Sequence, residues 1–295
     1  MNAASVKARL KNFATQNGIT FQQALTYYGL ERTIYRLSVS KYAEHFVLKG
    51  GIFLYALYQR NYARATTDID FLARRVSNSG QEMRAIFRDI LSRQLDDALV
   101  YDPDSVTVED IAELKAYHGL RVCAVASLDR TRIAVSIDIG FGDVVYPAPV
   151  RMEFPVMLGM ETPVVNAYSL ESAVAEKLEA IVRNGYLNSR YKDFYDIYIL
   201  SQNHAFRNDD LRGAVAETCR NRGTVMTMDA AAFGDDFLKD ALHQTRWRAF
   251  LKKKKALQPV SLEDAMARIK TFVRPLLEEA PRPESVWSPE DGCWR

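Results

Sequence analysis

Hydrophobic positions along the first 150 residues alternate between two periods. From Ser5 to about Ser40 the pattern is helical, with Phe21, Leu25, Tyr28, Ile34, Tyr35 and Leu37 at helical spacing. "FVLKG" predicts a short strand closed by glycine, "IFLYALYQR" a buried helix, and "TTDIDFLAR" a strand of period two. "SGQEMRAIFRDILSRQL" is an amphipathic helix. "DSVTVEDI", "HGLRVCAVASL" and "RTRIAVSIDIGFGD" are β-branched-rich strands punctuated by turns. A proline-bearing stretch, "VYPAPVRMEFPVMLGMETP", then predicts a boundary near residue 150.

Helical periodicity dominates afterwards. Ser169 is placed to cap "LESAVAEKLEAIVR", Asn184-Gly185 to stop it, and "RYKDFYDIYILSQN" follows, with three further helical stretches up to Ala280. The reading is α+β: a mixed-sheet core with N-terminal helices over 1–150, a helical region over 151–280, and a proline-rich tail over 281–295 that is extended or poorly ordered.

Composition narrows the class only slightly. Hydrophobic residues at 48% and charged residues at 26% describe an ordinary soluble chain, and a net charge of +2 does not announce a nucleic-acid binder. Local charge differs from the bulk: "RWRAFLKKKKAL", Arg246 to Leu257, concentrates basic residues. Cys123, Cys219 and Cys293 form no disulfide framework and no metal-ligand spacing. No signal-peptide core and no run of 18 apolar residues is present, so the expectation is a cytoplasmic protein without a membrane span.

Two carboxylates stand inside an apolar strand pattern. On a strand, Asp68 and Asp70 project to one face, about 6–7 Å apart along the chain. Such a pair repels itself and is costly to bury without a counter-charge, which a divalent cation supplies. Asp138 breaks a second apolar strand between Ile137 and Ile139 and is the third candidate ligand. Three carboxylates on adjacent strands suit a two-cation site. A turn former or a solvated residue is the competing reading for each. Gly50 and Gly51, between strand and helix, either let backbone N–H groups approach an anion or make a plain tight turn.

Taken in order, "ERTIYRLSVSKYAEHFVLKGGIFL", "RATTDIDF", "SIDIGFGD", "AVAEKLEAIV" and "SRYKDFYDIYIL" resemble the AbiEii-type (MenT-like) nucleotidyltransferase toxins of bacterial toxin–antitoxin systems. These belong to the superfamily that shares the DNA polymerase β-like core. The resemblance spans Glu31 to Leu200. Two departures stand out: the superfamily's Gly-Ser pair is Gly-Gly here, and the gap from Gly51 to Asp68 is long.

The resemblance implies a Mg²⁺- or Mn²⁺-dependent transfer of a nucleoside monophosphate from an NTP, with Asp68, Asp70 and Asp138 as metal ligands. Gly50 and Gly51 would hold the phosphates, and Lys177 would neutralise them. Asp193 belongs to the catalytic motif, and Asp196 supports it or orients Arg190 or Lys192. On residue spacing alone, Lys177 either snorkels or enters a cleft, Asp193 and Asp196 fit an ordinary helix face, and Arg64 either steadies the Asp pair or is a solvent-facing loop arginine. The implied acceptor is RNA, the 3′ end of tRNA, with growth arrest or phage defence as the outcome and an AbiEi-type antitoxin as partner. Transfer to a protein or small molecule, and a non-catalytic nucleotide- or RNA-binding module, are the alternatives. His45, His118, His204 and His243 show no clustering and are expected to be structural or surface residues.

Overall fold

A computed structural model describes residues 1–62, 64, 66–111, 119–277 and 284–295. His118 and residues 278–283, where the helical pattern passes into the tail, lie outside the described residues. The chain forms two compact units. One comprises Met1–Tyr62, Thr66–Gly142 and Val150–Ala167; the other comprises Asp143–Pro149 and Tyr168–Arg295, with Arg64 grouped in it.

In the first unit the long helical pattern at the N-terminus resolves into α1 (Ala3–Gln16) and α2 (Phe21–Ser38). The break has a local cause: Thr20 and Gln23 form a reciprocal capping box that starts α2 afresh. There follow β1 (Phe46–Lys49), α3 (Gly50–Leu57), β2 (Ile69–Ala73), α4 (Gly80–Leu91), β3 (Val100–Tyr101) and β4 (Thr107–Asp110). β5 (Gly119–Leu128), β6 (Thr131–Phe141), β7 (Val150–Glu153) and β8 (Val164–Ala167) complete the set.

The strands make one mixed sheet in the order β3-β5-β6-β2-β1-β8-β7, with β4 also pairing β5. β1 runs antiparallel to β2 and parallel to β8, while β2 runs parallel to β6. β7 lies inside the proline stretch and β8 directly after it, yet both belong to this sheet, so the compositional boundary at 150 falls inside the unit. The prolines flank short strands at the sheet's edge, where a missing N–H donor costs little.

Alternation along β5 and β6 separates two faces. Leu120, Val122, Ala124, Ala126 and Leu128 pack inward with Ile133, Val135, Ile137 and Ile139, while Arg121, Ser136 and Asp138 take the other side. α2 covers the inward face at close range, since a Cβ at Gly29 would stand 2.7 Å from Ile133 Cγ2. On the same helix, Arg36 is fully buried because its guanidinium makes two bonds to Asp97, at 2.6 and 3.0 Å.

The second unit is helical: α5 (Leu170–Asn184), α6 (Tyr191–Asn203), α7 (Asn208–Arg222), α8 (Asp235–Lys239), α9 (Ala241–Lys253) and α10 (Leu262–Val273). Ser169 caps α5 by accepting from Ser172 N–H, as the sequence indicates. Of the two readings of the tail, its described part takes the extended one. β9 (Phe206–Arg207), β10 (Val286–Ser288) and β11 (Cys293–Trp294) pair as a small antiparallel sheet. The cause is aromatic: Trp287 is fully buried, donates Nε1–H to the Ser201 carbonyl at 2.7 Å and meets the Phe272 ring edge-on at 4.8 Å. Among the described residues, no helix is long and apolar enough to cross a membrane.

If that anchor holds the tail, Trp287→Ala should destabilise the second unit by about 3–5 kcal/mol, and Trp287→Phe by less. All three tryptophans, Trp247, Trp287 and Trp294, lie in this unit. Urea denaturation followed by tryptophan fluorescence and by circular dichroism checks the effect.

Candidate active site

The first unit carries a row of charged side chains on one face of its sheet. Register sets Lys49 of β1 opposite Asp70 of β2, Asp70 opposite Asp138 of β6, and Asp138 opposite Arg121 of β5. The order across four strands is therefore plus, minus, minus, plus. Ile69 and Phe71 on β2, and Ile137 and Ile139 on β6, point into the core, so the carboxylates are committed to the opposite face. Asp70 and Asp138 are half-buried; two like charges side by side in a sheet repel, and the cations Lys49 and Arg121 flanking the pair offset that cost, with Glu109 of β4 in turn opposite Arg121.

Gly50 makes room for Asp70. Its φ is +68°, and a Cβ there would sit 2.1 Å from Asp70 Oδ2. Any side chain would thus meet both backbone strain and the carboxylate itself. Gly51 follows it, buried in the first turn of α3.

Asp68 departs from the expected buried strand position. Strand pairing begins at Ile69, and Asp68 lies just before it, exposed, with the Thr67 hydroxyl at 3.4 Å. Asp138 is engaged as well. Arg121 Nε donates to Oδ1 at 2.7 Å and its terminal nitrogen to Oδ2 at 2.8 Å, a two-bond fork. The hydrogen bonds and charge of Asp138, with a smaller contribution from Asp68, raise the Arg121 guanidinium above its ordinary proton affinity.

Hard oxygens on adjacent strands suit a divalent cation such as Mg²⁺ at Asp70 and Asp138. The expected three-carboxylate set is nonetheless not assembled: among the described residues, no group of three or more His, Cys, Asp or Glu could hold a metal ion. The fit is that of a two-carboxylate donor pair, with one member occupied by an arginine.

The second unit brings together the other predicted residues. Asp196 on α6 is fully buried and accepts from Arg64 Nε and its terminal nitrogen, each at 2.7 Å, while Lys177 Nζ from α5 lies 2.8 Å from its Oδ2. Lys177 also lies 3.7 Å from Asp193 Oδ1, and Arg190 Nε donates to Asp193 Oδ2 at 2.7 Å. Burial pushes the Asp196 carboxyl upward, but the charges and hydrogen bonds of Arg64 and Lys177 outweigh it and hold the group well below the usual carboxylate range. Asp196 therefore holds Arg64 and Lys177, while Lys192 is solvent-exposed. Arg64 is a buried partner, not a solvent-facing loop residue.

Elsewhere, Arg222 at the end of α7 pairs with Asp143, Glu176 and Glu179, tying α7 to α5. His243 is a core residue whose Nδ1 is 2.8 Å from the Tyr191 hydroxyl, and His45 Nδ1 meets the Arg74 carbonyl. All three cysteines are free. The sequence reading missed Arg121, Lys49 and Arg222. Strand alternation in "HGLRVCAV" puts Arg121 on the face away from Leu120 and Val122, but only register pairs it with Asp138.

The acid limb of stability follows from Asp196. Its folded carboxyl binds a proton more weakly than the unfolded one. Its stabilisation is thus complete above about pH 5 and is lost as pH falls below the ordinary Asp value of 3.8 toward the folded value. Asp196→Asn should cost about 3–5 kcal/mol at neutral pH, by leaving Arg64 and Lys177 buried without their counter-charge. The variant should also lose part of the acid-dependent slope. Tryptophan-monitored urea denaturation across pH measures both.

Comparison with solved structures gives the fold an external reference. The nucleotidyltransferase toxin MenT4 from Mycobacterium tuberculosis H37Rv superposes with a TM-score of 0.60 at 16% identity, covering 93% of this chain and 90% of that one. JHP933 from Helicobacter pylori gives a TM-score of 0.49 at 16% identity, covering 86% and 91%. No curated protein sequence matches significantly. The family described as nucleotidyl transferase AbiEii toxin, type IV toxin–antitoxin system, matches residues 32–269, most of the chain. The α+β core and the helical region that follows it in the chain are thus those of a nucleotidyltransferase, and the chain belongs to the AbiEii toxin family.

Proposed function

We propose that this protein transfers a nucleoside monophosphate from an NTP to RNA, the 3′ end of tRNA that the family resemblance implies, and so blocks translation and growth. The observation that carries the reading is the in-register pair Asp70 and Asp138, with Gly50 opened beneath Asp70. Half-buried carboxylates set side by side in the sheet match what a nucleotide-bound Mg²⁺ or Mn²⁺ needs.

In this reading Asp70 and Asp138 hold the cation and the exposed Asp68 joins them. When bound, the cation neutralises charge on the triphosphate. The acceptor hydroxyl oxygen attacks the α-phosphorus, the bond from that phosphorus to the bridging oxygen breaks, and pyrophosphate leaves with the electron pair. Asp138 takes the hydroxyl proton. Backbone N–H groups at Gly50 and Gly51 receive phosphate oxygens. Lys177, fixed by Asp193 and Asp196, has three N–H donors and so keeps one for a phosphate. Arg190, part-exposed on Asp193, adds positive charge for the nucleotide.

Arg246, Arg248, Lys252, Lys253 and Lys255 are exposed on or just after α9 and supply charge for an RNA backbone. Family membership supports an AbiEi-type antitoxin as the partner that restrains the toxin.

The test incubates the purified protein with Mg²⁺, each α-³²P-labelled NTP in turn and total bacterial tRNA, scoring RNA and protein on denaturing gels. Label should enter tRNA and fall by about 100-fold or more in Asp70→Ala, the scale on which loss of one charge-stabilising group acts. Label in protein alone would move the acceptor to a side chain, and growth arrest surviving Asp70→Ala would favour a non-catalytic binding module.

A further inference from the structure

The charged row contains a competitor for its own cation. Both Asp138 oxygens are taken by the Arg121 fork, at 2.7 and 2.8 Å. A divalent ion approaching Asp138 must share those oxygens with a guanidinium of like sign, and the repulsion between them is direct. The ion pair is open to water: Arg121 is 45% exposed and Asp138 23% exposed. Arg121 stands on β5, an ordinary strand position from which the side chain can swing into solvent.

Resting on the reading that Asp70 and Asp138 hold the cation, we propose that Arg121 is a positioning residue that occupies Asp138 until a divalent cation displaces it. The arginine keeps the two adjacent carboxylates tolerable before a cation binds, and it weakens cation binding by the strength of the pair. Loss of Arg121 leaves Asp70 and Asp138 with one counter-charge fewer and a ready-made appetite for a cation. Arg121→Lys keeps the charge but not the planar fork, so its effect is intermediate.

The experiment titrates Mn²⁺ alone into the full-length protein and reads free Mn²⁺ by electron paramagnetic resonance. Arg121→Gln, Arg121→Lys, Asp138→Asn, Asp70→Asn and the control Arg132→Gln run beside the unsubstituted chain, and thermal denaturation verifies that each is folded. Arg132 lies on the same face of β6 but about 20 Å along the strand from Asp138, so it removes the same charge without touching the pair.

Arg121→Gln should bind Mn²⁺ about fivefold more tightly, the scale of one well-formed part-exposed ion pair, with Arg121→Lys between. Arg132→Gln should leave the affinity unchanged, and the Asp→Asn variants should weaken it. An unchanged affinity in Arg121→Gln, with Asp138→Asn still weakening binding, would overturn the competition and leave the cation site standing. Binding indifferent to both Asp→Asn changes would overturn the cation site and the competition together. An equal gain in Arg132→Gln would trace the effect to net charge and overturn the role of Arg121.

Discussion

The constraint on which the first unit turns is the register that sets Asp70 beside Asp138. Parallel pairing of β2 with β6 leaves these two no choice of face, because Ile69, Phe71, Ile137 and Ile139 are committed to the core. Neighbouring elements read as answers to that juxtaposition. Lys49 stands beyond Asp70 and Arg121 beyond Asp138, and the row runs on to Glu109 of β4, opposite Arg121. Gly50 follows because α3 must begin where Asp70 already stands, and a Cβ there would collide with its carboxylate. The strand–glycine–helix turn and Asp70 are coupled, since the carboxylate fits only where position 50 carries no Cβ.

The second unit uses the same chemistry under opposite conditions. Asp196 is gripped by an arginine fork much as Asp138 is, but it has no exposed side-chain surface and a lysine as additional partner. Removing charge from water costs several kcal/mol per ion, and only complete satisfaction of the oxygens offsets this. Asp196 meets that condition: Arg64 and Lys177 surround it, and its proton affinity is depressed despite burial. A carboxylate so held fixes the direction of Lys177. Asp193, less enclosed and shared with the part-exposed Arg190, stands between the two extremes.

Much of the architecture was legible in the chain. The strand ending at Lys49, the buried helix after Gly-Gly, the hairpin of β5 and β6 and the capped α5 all follow from period, turn residues and caps. The sheet's far edge was not, because prolines at 147, 149, 155 and 163 suggest a linker while β7 and β8 pair between and after them. Nor was the tail, where apolar content is low and order comes from two tryptophans meeting Phe272. At the site, residue types were readable but partners were not. Arg121 and Asp138 are 17 positions apart and Arg64 and Asp196 are 132 apart, and no local period reports a pairing set by register or by packing. For the same reason Asp68 looked like a strand residue, since alternation continues through it although pairing starts one residue later.

Exposure separates what the two arginine–carboxylate forks can do. A pair in water is worth little, because solvent competes for both partners; a pair out of water is worth much, because breaking it strands a charge. Asp196, with no exposed surface, cannot trade Arg64 for another ligand without opening its surroundings. Asp138, with 23% of its side chain exposed and a partner on the outer face of β5, can trade Arg121 at small cost. Identical donor and acceptor groups at nearly identical distances thus sit in two environments, one closed to water and reinforced by Lys177, the other open to it.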